Sequence, residues 1–224
     1  MATNSVRNQE ETRGKLLQAA AEVIAEHGYQ AATVREICTR AGANIAAVNY
    51  HFGDKLALYT ELLKAAVNDA DAPEAFGALH SSATPEDALR AFISAMFRHI
   101  TRADRPSWYS KAMAHELAHP TPALAVVVEH VIRPKARLLY RIVGEIIGRP
   151  ALDQKTRLCA HSIIGQVVHY IHARPVIGML WPELTMTPET MEVIANHIAD
   201  FSLAALKGLE LNGGPGTSRS RRAK

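Results

Sequence analysis

Apolar side chains recur at helical spacing near the start of the chain. Leu17, Ala20, Ala21 and Ile24 fall at positions i, i+3, i+4 and i+7, which places them on one face of a helix. Gly28 follows directly and predicts the end of this helix, because glycine is the usual residue just beyond a helix terminus. The pattern therefore predicts that the chain opens with an amphipathic helix.

Two short helices and a longer one are predicted between residues 33 and 68. Thr33 and Glu36 have the spacing of a capping box, in which a hydroxyl and a carboxylate satisfy the free amide groups at a helix start. Gly42 interrupts this helix, and Asn44 is placed to cap the next one. Asp54 is placed to cap the longer helix that follows.

The rest of the chain has the pattern of long helices. Pro134 and Pro175 lie inside two of them and are expected to kink or divide each one, because proline lacks the amide donor and crowds the preceding turn. We find no convincing strand and no internal repeat, so the fold class predicted is all-α. The long helices are predicted at residues 85–102, 106–118, 121–147, 152–180 and 187–209.

Composition narrows the class of protein but does not identify it. Of the 224 residues, 48% are hydrophobic, and no apolar run is long enough to span a bilayer. Two cysteines far apart argue against a disulfide framework, so we expect a cytoplasmic protein with no membrane partner. The net charge of +3 arises in the tail, residues 212–224, which carries four basic residues and is expected to be disordered. Residues 1–64 are formally neutral, so the overall charge is no argument for DNA binding.

Residues 33–52 have the proportions of a helix-turn-helix. Gly42 can adopt the unusual backbone angles of the turn, and Cys38 is small enough for the two helices to cross closely. Val48 is placed to anchor the second helix in the core. The outward face of the second helix instead carries small or hydrogen-bonding residues, namely Asn44, Ala46, Ala47, Asn49 and Tyr50.

These residue types fit the surface of DNA. Asparagine can bond adenine with two hydrogen bonds, alanine can contact a thymine methyl group, and tyrosine can bond a phosphate. Arg35 is the best candidate for a guanine edge. Thr33 with the first amides of its helix, and Lys55 at the start of the fourth helix, are candidates for phosphate contacts. The alternative is a solvated helical hairpin whose Asn and Ala side chains only fill surface positions.

The run from Thr33 to Lys55, TVREICTRAGANIAAVNYHFGDK, closely resembles the TetR family signature. The resemblance extends over residues 10–70 and implies a three- to four-helix N-terminal DNA-binding domain. It implies that Arg35, Asn49 and the alanines face bases. It further implies that Thr33, Tyr50, His51 and Lys55 contact the phosphate backbone. Many members carry tyrosine at position 49 and a basic residue at position 45, whereas this chain has Asn49 and Ile45, so its operator cannot be taken from relatives.

The segment from His115 to Leu209 resembles the C-terminal domain of CerR-like TetR regulators. This implies a larger helical domain at residues 71–211 that binds a ligand and forms a homodimer through the last two long helices. Apolar residues such as Ile163, Ile194, Ile198 and Phe201 either form that interface or close the monomer core. The candidate ligand contacts, each of which can equally be a core residue, are Phe92, Met96, Trp108, Met113, His169 and Tyr170.

The run from His115 to His119, HELAH, matches the zincin motif and supplies an alternative function. On a helix the two histidines could bind zinc while Glu116 activates water, as in a metallopeptidase. Pro120 follows at once and disfavours helical geometry at His119, whereas zincins carry the motif well inside a helix. A second histidine set on one helix could provide polar anchors, interface bonds or metal ligands: His161, His169 and His172.

Together these patterns predict a TetR-type transcriptional regulator rather than an enzyme, with no catalytic residues, no cofactor and no resident metal. We expect a homodimeric repressor that binds palindromic double-stranded operator DNA and is released by a small-molecule effector. Activation remains the alternative to repression.

Overall fold

The structure, a computed structural model, describes residues 2–67, 84–101 and 108–211. All regular elements within these ranges are helical, as the sequence predicts. The expected basic tail at 212–224 lies outside the described residues. The elements are α1 (Ala2–Ala31), α2 (Val34–Ala41), α3 (Ile45–Phe52), α4 (Lys55–Val67), α5 (Pro85–Thr101), α6 (Trp108–Ala118), α7 (Pro122–Val127), a π-helical turn (Val128–Ile132), α8 (Arg133–Ile147), α9 (Gln154–His172), α10 (Arg174–Leu180) and α11 (Pro188–Leu211).

Both internal prolines interrupt a predicted long helix, as expected. Ahead of Pro134 the chain forms the π-helical turn, in which the Arg133 amide donates to the Val128 carbonyl five residues back. This wider turn adapts the backbone to a residue that has no amide of its own to donate. Pro175 lies in the first turn of α10, so the predicted helix 152–180 is divided at Ala173.

The described helices form two compact units. The first unit combines α1–α4 with α6, α7 and the π-helical turn, three elements that lie within the range 71–211 predicted for the second domain. The reason lies in α4, where Leu58, Tyr59, Leu62 and Leu63 are all completely buried. A helix with such a wide apolar face needs cover from several neighbours, and α1, α6 and α7 all pack on it.

The second unit contains α5 and α9–α11 with most of α8. Its core is one cluster of apolar side chains that includes Phe92, Leu139, Ile163 and Ile198. The helices α5 and α11 pack closely, and an exposed ion pair between Arg90 and Asp200 joins them. No helix among the described residues is long and apolar enough to cross a membrane.

Gly28 marks a sharp break near the end of α1. Its backbone angles, φ 77° and ψ 164°, are not helical and belong to a region that side-chain-bearing residues rarely adopt. A Cβ atom at this position would lie 2.5 Å from Nε2 of His115, a residue of α6. Glycine is therefore favoured at this position by its backbone conformation, and a larger residue would also displace the imidazole ring.

We expect the substitution Gly28→Ala to lower the free energy of unfolding by about 1–3 kcal/mol, because alanine is strained at these angles. Urea denaturation of the purified protein measures this change. Gly14→Ala is the matched control, since Gly14 is helical and a Cβ there meets no atom within 4 Å. The control is expected to raise stability by about 0.5–1 kcal/mol, and equal effects of the two substitutions would contradict the prediction.

Candidate nucleic-acid interface

The helices α2 and α3 form a helix-turn-helix whose caps are those that the sequence predicts. Thr33 Oγ1 accepts a hydrogen bond from the Glu36 amide at 3.1 Å, and Asn44 Oδ1 accepts one from the Ala46 amide at 3.0 Å. Between them Gly42 is left-handed, with φ 63° and ψ 31°, and its amide closes α2 by donating to Thr39. Each helix therefore starts and stops at a residue suited to that role.

The two helices are held by small and apolar contacts. Ile37 and Cys38 of α2 and Val48 of α3 are buried in one cluster with residues of α1 and α4. Burial also raises the pKa of the Cys38 thiol, which disfavours the reactive thiolate. The predicted anchoring roles of Cys38 and Val48 are thus consistent with their positions in the core.

The outward face of α3 is open to solvent. Asn44, Ala46 and Asn49 are exposed, and Ile45 and Tyr50 keep 51% and 71% of their surfaces accessible. Asn44 caps α3, whereas Ala46, Asn49 and Tyr50 do little for the stability of the fold, because an exposed side chain gains little burial energy. Two further predicted contacts, Ala47 and His51, are only partly buried and lie at the edges of the same face.

The predicted phosphate contacts flank this face. Thr33, a predicted phosphate contact, and Arg35, the predicted guanine contact, are exposed at the start of α2. Lys55 begins α4, and its Nζ lies 4.4 Å from the centre of the Tyr29 ring, a geometry that steadies the ammonium group. Partial burial lowers the pKa of Lys55 from its usual value. Arg40, also on α2, is instead engaged by Glu26 through two hydrogen bonds of 2.7 and 2.9 Å.

The candidate ligand contacts are divided between the two units. Phe92, Met96 and Tyr170 pack in the core of the second unit, whereas Met113 packs in that of the first. His169 is exposed on α9, with its ring edge-on to Tyr170. The Trp108 side chain lies outside the described part of the structure. The ligand contacts therefore stay predictions.

The second histidine set lies on the exposed side of α9. His161 Nε2 is 3.1 Å from the Tyr140 hydroxyl, and His169 and His172 are exposed. Within residues 2–67, 84–101 and 108–211, no group of three or more His, Cys, Asp or Glu side chains has metal-binding geometry. A polar contact such as His161–Tyr140 is the role that the geometry supports for this set.

The HELAH motif has a structural role that its zincin pattern does not suggest. Glu116 is completely buried and accepts three hydrogen bonds: from the Tyr59 hydroxyl at 2.8 Å, the Thr121 amide at 2.7 Å and the Thr121 hydroxyl at 3.0 Å. His115 packs against Gly28, and α6 ends before His119. A sealed and fully bonded carboxylate cannot activate water, so the peptidase alternative has no support.

The Glu116 hydrogen bonds are the feature that sequence reasoning missed. Tyr59 is 57 positions away, and no short motif connects the two residues. Burial raises the pKa of Tyr59 strongly, and the bond to the Glu116 carboxylate raises it further. The Thr121-Pro122 pair after the motif, which predicts a helix start, was the one local signal available.

Two family models together match most of the chain. Residues 16–62 match the model described as bacterial regulatory proteins, tetR family, and residues 85–208 match that of the C-terminal domain of the HTH-type transcriptional dual regulator CecR. The C-terminal domain, which resembles that of CerR-like regulators in sequence, therefore matches the CecR domain model.

Similar proteins agree with these family models. CecR from Shigella flexneri is 32% identical over 210 residues, which cover 89% of this chain and 93% of CecR. The transcriptional activator FasR from Mycolicibacterium smegmatis is 37% identical over 92 residues, covering 41% and 42% of the two chains. The crystal structure of FadR from Bacillus subtilis in complex with stearoyl-CoA shares the fold, with a TM-score of 0.64 at 19% identity, covering 85% and 97% of the chains.

The capped helix-turn-helix and the helical second unit are those of a DNA-binding transcriptional regulator. The chain belongs to the TetR family, and within it to the group that carries a CecR-type C-terminal domain.

We expect Glu116→Ala to lower the free energy of unfolding by about 3 kcal/mol, because it leaves the Tyr59 hydroxyl and the Thr121 amide buried without an acceptor. Urea denaturation measures the loss. The control is Glu145→Ala on α8, where the side chain is exposed and a change within about 0.5 kcal/mol is expected. Unchanged stability of the Glu116 variant would show that these hydrogen bonds do not stabilise the first unit.

Proposed function

We propose that this protein is a homodimeric repressor that places α3 of each protomer in the major groove of a palindromic operator, and that a small-molecule effector releases it. The observation that carries the proposal is the exposed face of α3. Apart from Ile45, its side chains are polar or small and contribute little to the core, while Val48 on the opposite side anchors the helix. Such a face is expected where a helix meets base edges.

Within this face the structure supports a division of roles. Asn44 uses its side-chain oxygen to cap α3, so Asn49 is the better candidate for a two-bond contact with adenine. Arg35 is assigned to a guanine edge, and Ile45, Ala46 and Ala47 to apolar contacts with thymine methyl groups. The backbone contacts are assigned to Thr33, Tyr50, His51 and Lys55.

Dimerisation is assigned to α9 and α11. In the described second unit, Leu158, Val193 and Phe201 expose 60% or more of their surfaces on these helices. Small exposed residues beside them, such as Gly165 and Ala204, permit close helix approach. Not all predicted interface residues fit this role, since Ile163, Ile194 and Ile198 close the core of their own unit.

A dimer explains how an effector acts. Two recognition helices must lie about 34–36 Å apart to enter successive major grooves, so a ligand that favours another spacing weakens binding at both half-sites. The effector search begins with fatty acyl-CoA thioesters, because FadR from Bacillus subtilis, which shares the fold, was solved with stearoyl-CoA. Loss of operator affinity on addition of one such compound would support ligand control.

The DNA contacts are tested by fluorescence anisotropy with labelled DNA from upstream of the gene, with excess competitor and a salt series. We expect Asn49→Ala to cost about 1–3 kcal/mol at the preferred sequence and to relax specificity at one base pair. Lys55→Ala is expected to weaken all sequences alike and to reduce the salt slope by about one unit.

Arg40→Ala is the matched control for these variants, because Arg40 is a cation of the same helix-turn-helix that is already paired with Glu26. We expect this control to bind the operator as the parent does. Competitor-sensitive binding by the parent at every salt concentration would contradict the proposed function. A reporter gene behind the same DNA distinguishes repression from activation.

The interface is tested with Phe201→Glu, which puts a charge on the exposed apolar face of α11. We expect the dimer dissociation constant, measured by sedimentation equilibrium, to rise at least about tenfold, since an unpaired charge is buried in each copy. Leu117→Glu on α6 is the control, because Leu117 is similarly exposed but lies in the first unit. Equal dimer affinity of the parent and the Phe201 variant would place the interface elsewhere.

A further inference from the structure

The first turns of α1 extend well beyond the part of that helix that enters the core. The helix begins at Ala2, yet residues 7–15 contain no buried side chain, and the burial of this helix in the core starts after them at Leu16. At about 1.5 Å per residue, this extension is some 20 Å long. Residues 7–15 bury no side chain completely and so gain little stability from the core, which makes their contacts with the rest of the unit informative.

Two residues one turn apart attach this extension to the helix-turn-helix. The Arg13 guanidinium lies 5.0 Å from the centre of the Phe52 ring at the end of α3 and pairs with Glu61 of α4 at 3.1 Å. One turn earlier, Gln9 Nε2 donates a hydrogen bond of 3.1 Å to the hydroxyl oxygen of Tyr50. The Gln9 and Arg13 side chains thus both contact residues at the C-terminal end of α3.

The direction of the Gln9 bond determines what Tyr50 can do. A phenol hydroxyl has one hydrogen to donate and two lone pairs to accept with. Because Gln9 donates to the oxygen, the hydroxyl hydrogen stays free, and accepting a bond makes it a stronger donor. A phosphate oxygen can only accept hydrogen bonds, so it is the partner that this hydroxyl is prepared for.

We propose that Gln9 is a positioning residue for DNA binding: it fixes the Tyr50 hydroxyl with its hydrogen directed away from α1, ready to donate to an operator phosphate. The inference rests on the proposed function and adds to it a residue outside the helix-turn-helix. Gln9 itself contacts no DNA in this scheme. Its effect passes through Tyr50 alone, and that restriction makes it testable.

The test measures operator affinity by fluorescence anisotropy for Gln9→Ala and Gln9→Glu, each with Tyr50 and with Tyr50→Phe. Removing the donor with alanine is expected to weaken binding about threefold, the value of one neutral hydrogen bond. Glutamate is expected to weaken it about tenfold or more, because its carboxylate can only accept and therefore takes the hydroxyl hydrogen from the phosphate.

Asn8→Asp is the charge control, since it adds one negative charge in the same exposed turn next to Gln9. We expect it to weaken binding only about twofold, through long-range repulsion. In the Tyr50→Phe background, Gln9→Ala should have no effect, and Gln9→Glu should fall to the level of Asn8→Asp. Effects of the same size in both backgrounds, or a Gln9→Glu variant no weaker than Asn8→Asp, would overturn the proposal.

A second readout needs no DNA. The side-chain amide resonances of Gln9 in the free protein, observed by NMR, are expected to shift when Tyr50 becomes phenylalanine, because the hydrogen bond is lost. Unmoved resonances would overturn the inference even if the operator binds tightly. If the resonances shift but the protein binds no operator, the Gln9–Tyr50 contact is confirmed and the proposed function is wrong.

Discussion

The Tyr59–Glu116 hydrogen bond links the helices of the first unit, because Tyr59 lies on α4, Glu116 lies on α6, and the same carboxylate accepts a bond from Thr121 at the start of α7. Tyr59 is fixed at its hydroxyl by Glu116, and its ring stacks on Tyr29 at 4.5 Å. The Lys55 ammonium group lies over the Tyr29 ring, 4.4 Å from the ring centre. A buried carboxyl group is costly unless its hydrogen bonds are satisfied, and here each bond also orients a neighbour. The chain of contacts therefore runs from the core to the surface beside α3.

The short helix α3 is held in place by few of its own residues. One buried side chain, Val48, anchors α3 in the core, and the caps at Asn44 and Gly53 fix its two ends. Ile45, Ala46, Asn49 and Tyr50 stay exposed and are not needed to hold the helix, because its backbone is already fixed. The α1 extension adds a support from outside, through the Arg13 contact with Phe52 and the Gln9 contact with Tyr50. Preorganised side chains lose less entropy when they meet the operator.

The local features of the first unit could be predicted from sequence because each depends on neighbouring residues. The Thr33 cap, the Gly42 turn and the break at Gly28 all follow from one residue type at one position. Candidate sites made by distant residues could not be predicted in this way. Glu116 has a zincin spacing, but its hydrogen-bond partner Tyr59 lies on another helix, and only packing brings the two together. The same holds for Gln9, which no motif connects to Tyr50.

The sequence by itself determined the family, the helical class and the helix-turn-helix, since helical periodicity and capping are local properties of the chain. Tertiary structure alone decided which helices share a core: α6 and α7 pack with α4 because its wide apolar face requires several neighbours. It also decided that Ile198 is a core residue while Phe201, three positions later, faces solvent. Both are apolar and both lie on α11, and periodicity cannot tell a face covered by the same chain from one left for a partner.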